Sequence, residues 1–196
     1  MQERFEGYKR GPMALEQGFF DRPVVDVARN LIGVGLFLDG VGGPIVETEA
    51  YDPTDPASHT FNGPTPRNAA MFGPPGHAYV YKIYGIHWCL NFVCRPGSAV
   101  LIRALEPTHG LDIMHDRRGG LGLRQLCSGP GKLCQALAID FTQNALPLDE
   151  PPFALTPAAT THDILAGTRI GLTKGVETPW RFVLKGSPFL SKPMRP

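Results

Sequence analysis

The sequence predicts an α+β fold with mostly antiparallel strand pairing, and three observations lead there. The chain has 196 residues, 42% of them hydrophobic, enough for one domain with a substantial core. Its 23 glycines and 20 prolines are spread along the chain without a repeat, which reads as many turns between short elements. The order of elements, with strand-like runs joined by brief connections and a few short helical segments, completes the argument.

Taken in order, the first element is a helix opened by residues 21–23, with Asp21 placed to cap it and Pro23 in its first turn. Val24, Val27, Ala28 and Leu31 keep helical spacing, and Gly33 suits the end. Residues 35–39 and 44–51 read as strands joined by a turn region over 40–43. Residues 52–77 are rich in Pro, Gly, Asn, Ser and Thr and read as a long ordered loop, and such loops are usually functional. Residues 78–83 and 88–94 form the arms of a hairpin with its tip at 84–87, and 99–105 is a further strand. A helix over 108–118 starts at a capping Thr108 and ends with two arginines before Gly119 and Gly120. The run SGPGK at 128–132 leads into another helix through Leu133, Ala136 and Leu137, while 169–173 and 181–185 add edge strands. No linker divides the chain, so residues 1–196 read as one domain.

Composition removes several functional classes. No apolar run reaches the roughly 18 residues of a membrane span, and the opening MQERFEGYKR has no apolar h-region, so the reading is a soluble, cytoplasmic protein. Cys89, Cys94, Cys127 and Cys134 lack the paired spacing of a zinc site and are expected as reduced, packed thiols, with no metal. Net charge is only +1, but its distribution is uneven. Residues 47–55 hold Glu47, Glu49, Asp52 and Asp55 with no base, whereas 56–105 hold Arg67, Lys82, Arg95 and Arg103 with no acid. That pattern fits either scattered solvated charges or a few carboxylates set in a positive face.

Within VETEAY at 46–51, strand alternation puts Glu47, Glu49 and Tyr51 on one face. Two carboxylates are a costly core, so the face is either wet or lines a site. Tyr79 and Tyr81 share a face of the next strand, and Tyr84 at the hairpin tip is either covered by a neighbouring loop or free to stack. Arg103, inside the apolar AVLIRAL strand at 99–105, needs a partner, and a glutamate on a neighbouring strand would supply it. SGPGK before a helix suits a phosphate through backbone N–H groups and Lys132, but it lacks nucleotide P-loop spacing. No Ser–His–Asp, HExxH or GxGxxG pattern is present.

Several motifs occur together in order: VETEAY at 46–51, PASH at 56–59, TPRN at 65–68, Met71 with Phe72, YVY at 79–81 with Tyr84 and Gly85, Asn91, RALEP at 103–107, and SGPGKLCQAL at 128–137. In this combination the chain resembles the alkyladenine (3-methyladenine) DNA glycosylase family, from the helix at Pro23 to residues 181–188. The resemblance implies a curved, mostly antiparallel sheet with flanking helices and a protruding β-hairpin. It implies a monofunctional enzyme that flips alkylated or deaminated purines out of duplex DNA and leaves an abasic site, as a monomer needing no cofactor. Glu49 then resembles the general base for the attacking water, with Arg103 and the backbone carbonyl of Ile170 also holding that water. Tyr51, His59 and Tyr81 resemble the base-pocket walls, Asn91 the residue that discriminates among purines, and Tyr84 the wedge that fills the gap in the stack. Thr65, Arg67 and Lys132 resemble contacts to DNA. The loop between Tyr51 and His59 is one residue shorter than the family spacing, so the position of His59 is left open. The low net charge implies modest duplex binding through few phosphates.

Two other classes compete. A nucleic-acid-binding module would keep the stacking tyrosines without catalysis. A carbohydrate hydrolase would use Glu47 and Glu49 as its pair, since i and i+2 strand positions lie about 6.5–7 Å apart.

Overall fold

The computed structural model describes residues 15–194. Two short helices, α1 (Gln17–Phe20) and α2 (Val24–Asn30), precede a hairpin of β1 (Gly35–Leu38) and β2 (Val41–Tyr51). The expected cap does not form: Pro23 occupies the N-cap of α2, while Asp21 ends α1 and meets Arg95 in an exposed ion pair. The expected turn over 40–43 is shorter too. Only Asp39 and Gly40 turn, both with positive φ, the two-residue solution matched to strand twist. Gly42 and Gly43 belong to β2, because a Cβ on either would fall 2.0 Å from the carbonyl oxygen of Leu36 or Glu106.

Residues 52–77 run as turns, as expected, with one 3₁₀ turn at Ala69–Phe72. Then come β3 (Ala78–Ile83), β4 (His87–Val93) and β5 (Ala99–Leu105). The hairpin arms fall where the residue pattern puts them, one residue earlier on the second arm. Next are α3 (Leu111–Arg117), α4 (Leu123–Leu126) and α5 (Pro130–Leu137). Thr108 does not cap α3. Gly110, in the left-handed region, is its N-cap, and the Thr108 hydroxyl lies 2.8 Å from His109 Nδ1. Three short strands finish the fold: β6 (Phe153–Thr156), β7 (Ile164–Gly167) and β8 (Arg181–Leu184). Residues 169–173 form bends instead of the expected strand; Gly171 takes φ +75°, and the Ile170 N–H bonds to a side chain, not a ladder.

All strand pairs are antiparallel, in the order β3-β4-β5-β2-β1-β6, with β8 joining β2 and carrying β7. The long strand β2 organises the sheet. Residues 41–44 pair with β1, 47–49 pair with β8 along the same edge, and β5 runs along the other. The β2–β5 register shifts twice around Glu47: Ile45 faces Leu105, Glu47 faces Ala104, and Thr48 faces Ile102. Val46 and Arg103 are thus extra residues on opposite strands, a pair of bulges that curl the sheet and re-aim side chains.

The two sheet faces differ in kind. One packs Ala50, Val80, Leu90, Phe92, Val100 and Ile102 against helices α2 and α5 in the main core. There the hydroxyl of buried Thr48 donates to the carbonyl of Ala28. The opposite face carries the polar and aromatic residues. No helix among the described residues is long and apolar enough to cross a membrane.

Candidate active site

One row of paired residues crosses five strands on that second face: Tyr79, Asn91, Leu101, Glu49 and Arg181. Register therefore brings together residues that lie far apart in sequence. Glu49 is fully buried. Its Oε2 accepts the Tyr51 hydroxyl at 2.8 Å and Arg103 at 3.2 Å, and its Oε1 accepts the backbone N–H of Ile170 at 2.8 Å. A carboxylate offers about four lone-pair sites. Three are taken, and the one that remains is on Oε1.

Glu47 is equally buried and takes four donors, two of them from guanidiniums. Oε1 accepts from Arg181 at 2.7 Å, Arg103 at 3.3 Å and the Ser191 hydroxyl at 2.8 Å, and Oε2 accepts the Ser191 backbone N–H at 2.6 Å. The alternation of VETEAY is thus realised, and neither glutamate is solvent-facing. Two carboxylates and two guanidiniums balance in charge, which is how a sheet interior can hold four ionic groups. Arg103 divides itself between the glutamates because its bulge aims the guanidinium at both.

Beside Glu49 the wall is aromatic. Tyr79 and Tyr81 stack at 5.4 Å, and the His59 ring meets Tyr81 edge-on at 4.5 Å while its Nδ1 lies 3.1 Å from the Tyr79 hydroxyl. The loop that follows Tyr51 thus delivers His59 to the tyrosine pair. Burial, and then the charge and hydrogen bond of Glu49, push the Tyr51 hydroxyl far above the ordinary tyrosine range. Burial does the same to Tyr81 and pushes Tyr79 up to about 12, so all three remain neutral phenols. Part of His59 is open to solvent, but its ring is packed into the tyrosines. That desolvation, and then the cation of Arg67, hold it below the ordinary histidine value. Asn91 is buried and donates Nδ2 to the Tyr79 carbonyl at 3.0 Å, which fixes its orientation.

The hairpin tip is uncovered. Tyr84 is 84% exposed and Ile86 68% exposed. Thr65 and Arg67 lie exposed on the loop, where Arg67 donates to the Lys82 carbonyl on the outer edge of β3. Lys132 is exposed in the first turn of α5, and the neighbouring Gly131 abuts the His87 side chain at the hairpin root. These residues therefore do not surround Glu49; they border the hairpin or its edge.

The model of the methylpurine-DNA glycosylase family matches residues 18–188. The chain belongs to this family. It is 60% identical over 184 residues to a Nitrobacter winogradskyi protein, covering 92% of this chain and 88% of that one. It is 61% identical over 186 residues to one from Rhodopseudomonas palustris strain CGA009, covering 93% and 90%. With a Nitrosospira multiformis protein it shares 60% over 179 residues, 90% of this chain and 93% of the other. All three relatives carry the provisional name 3-methyladenine DNA glycosylase.

In this glycosylase-family chain, several residues of the site escape sequence reasoning. Arg181 and Ser191 complete Glu47 from 134 and 144 residues away, and no local pattern announces such a contact. Arg169 enters a buried ion pair with Asp55, which motif reading passes over as a loop acid. Ile86 is the exception: an apolar side chain two places from Tyr84 in a hairpin tip is a visible signal. All four cysteines are buried and free, as expected, and among the described residues no cluster of His, Cys, Asp or Glu is arranged to hold a metal.

Proposed function

We propose that this family member hydrolyses the N-glycosidic bond of alkylated or deaminated purines extruded from duplex DNA, with Glu49 as the general base. The supporting observation is that Glu49, with an acceptor site left on Oε1, is the glutamate that touches the aromatic wall, through the Tyr51 hydroxyl. The carboxylate is held by three donors, one of them the Tyr51 hydroxyl, and on lone-pair count has one acceptor site left that a water would take. The water gives its proton to Glu49 as its oxygen bonds to C1′ of the sugar, and the electron pair of the breaking C1′–N bond leaves with the purine. The carboxylate also faces the positive charge that grows on the sugar, where a buried anion acts most strongly.

The pocket chemistry suits a cationic leaving group. Tyr51, Tyr81 and His59 would hold the flipped base, and N3- or N7-alkylation makes a purine cationic. Phenol rings attract such a ring by about 0.5–2 kcal/mol each. A His59 kept neutral adds no repelling charge. Asn91, fixed by its bond to Tyr79, would read the purine edge, and Tyr84 would occupy the gap left in the stack. Thr65, Arg67 and Lys132 would hold phosphates. Glu47 is tied up by two guanidiniums and both donors of Ser191, which disfavours a two-carboxylate glycosidase.

The test is single-turnover base release from duplexes that each carry one modified purine. Glu49→Gln is expected to slow release by roughly 10²–10⁴-fold, with affinity for the modified duplex within about threefold of the parent. Unchanged release in the variant would refute the base assignment. Binding without release from any duplex would favour a non-catalytic module.

A further inference from the structure

Arg169 does not touch Glu49, yet it contacts the segments that carry two of the donors to Glu49. The Arg169 side chain is fully buried. It grips three separate segments. Nη1 donates to the carbonyl of Ala50 on β2 at 2.9 Å; Nη1 and Nη2 pair with Asp55 on the loop that leads to His59; and Nη2 donates to the carbonyl of Gly175 at 3.2 Å. The same group lies 4.7 Å from the centroid of the Tyr51 ring and 5.5 Å from that of Trp180.

Two of the three donors to Glu49 depend on that arrangement. Tyr51, whose hydroxyl holds Oε2, has its ring packed under the guanidinium. Ile170, whose N–H holds Oε1, is the next residue along the chain from Arg169. The third donor, Arg103, is set independently by Glu47 and Ser191. The segment around Ile170 has no strand ladder of its own, so its position against Glu49 rests on side-chain anchoring.

We propose that Arg169 is a positioning residue for the hydrolytic step: by tying segment 169–175 to the end of β2 and packing on the Tyr51 ring, it sets two of the donors that orient Glu49 for its water. This rests on the general-base reading of Glu49. Lysine cannot replace it, because one ammonium lacks the planar fork that spans Asp55, Ala50 and Gly175 at once and the flat surface that stacks on Tyr51.

A double-mutant cycle with two further readouts tests it, using a duplex with one cationic N7-alkylated purine so that slow release stays measurable. Arg169→Lys is expected to slow single-turnover release by roughly 10–100-fold, with affinity for that duplex within about threefold. Combined with Glu49→Gln, it is expected to add less than about threefold to the loss, because both changes act through one carboxylate. Amide exchange at Ile170 should speed up in Arg169→Lys while the thermal midpoint stays close to the parent. A merely structural Arg169 would give the same proportional loss in both backgrounds, in step with a lowered midpoint. If Arg169→Lys does not fold, Asp55→Asn, which weakens the same anchor, takes its place in the cycle. Full release by Arg169→Lys, with Glu49→Gln inactive, overturns the positioning role alone. Full release by Glu49→Gln overturns the base reading and this proposal with it.

Discussion

Glu47 and Glu49 sit two places apart on one strand, both fully buried, and their hydrogen bonds give them different work. Glu47 is locked between Arg103, Arg181 and Ser191 and acts as a structural anion; Glu49 takes one guanidinium and meets the Tyr51 hydroxyl of the pocket. His59 shows the same dependence on surroundings. Packing against the tyrosines, then Arg67, lowers its proton affinity from the ordinary value of 6.5. As pH falls below 6.5 the unfolded chain takes up that proton first, so the stability from neutral His59 is present above 6.5 and is lost as pH drops through the lower folded value. An NMR titration should place the His59 midpoint below 6.5, and Arg67→Ala should raise it without restoring it, since burial is the larger cause. A midpoint above 6.5 would contradict the neutral pocket.

At the scale of elements, the β3–β4 hairpin presents Tyr84 on strained backbone. Tyr84 and Gly85 take φ of 51° and 68°, and a bulky side chain in the left-handed region costs roughly 1–2 kcal/mol. Being 84% exposed, Tyr84 recovers little of that through packing within the protein. Tyr84→Asn is therefore expected to raise folding stability by roughly 0.5–1 kcal/mol in urea denaturation. The same variant should lose about 1–3 kcal/mol of affinity for a duplex with a modified purine, the usual worth of a stacking ring. A variant less stable than the parent would argue against strain at the tip. The hairpin was legible because period-two alternation and a glycine turn are local signals. The curl of β2 on β5 was not, because the Val46 and Arg103 bulges arise only when two strands must both pair and bend.

For the molecule as a whole, the acidic stretch at 47–55 and the basic one that follows it acquire a physical meaning. Glu47, Glu49 and Asp55 are paired inside with Arg103, Arg181 and Arg169, while Arg67, Lys82 and Lys132 stay exposed. A net charge of +1 thus goes with a few cations free near the hairpin. With about three phosphates engaged, the logarithm of duplex affinity should fall with log salt at a slope of about −3, and Arg67→Ala should make it shallower by about 1. Fluorescence anisotropy between 50 and 200 mM salt, on the order of the range where such slopes are read, would check this. A slope steeper than about −6 would mean a larger footprint than these residues supply.

By itself the sequence determined the class of the fold, the hairpin with Tyr84 at its tip, the shared face of Glu47, Glu49 and Tyr51, and the need of Arg103 for a carboxylate. Each follows from local periodicity or from the free-energy penalty of a lone buried charge, which act wherever the residues stand. Tertiary structure alone decided which glutamate is locked between guanidiniums and which lies against the pocket, because that turns on donors from residues 170, 181 and 191, more than 100 positions away. It also decided that Arg169 belongs to the site, and that the Asp21 and Thr108 caps give way to Pro23 and Gly110. Long-range pairing assigns each donor to one acceptor among many, and no spacing along the chain encodes that choice.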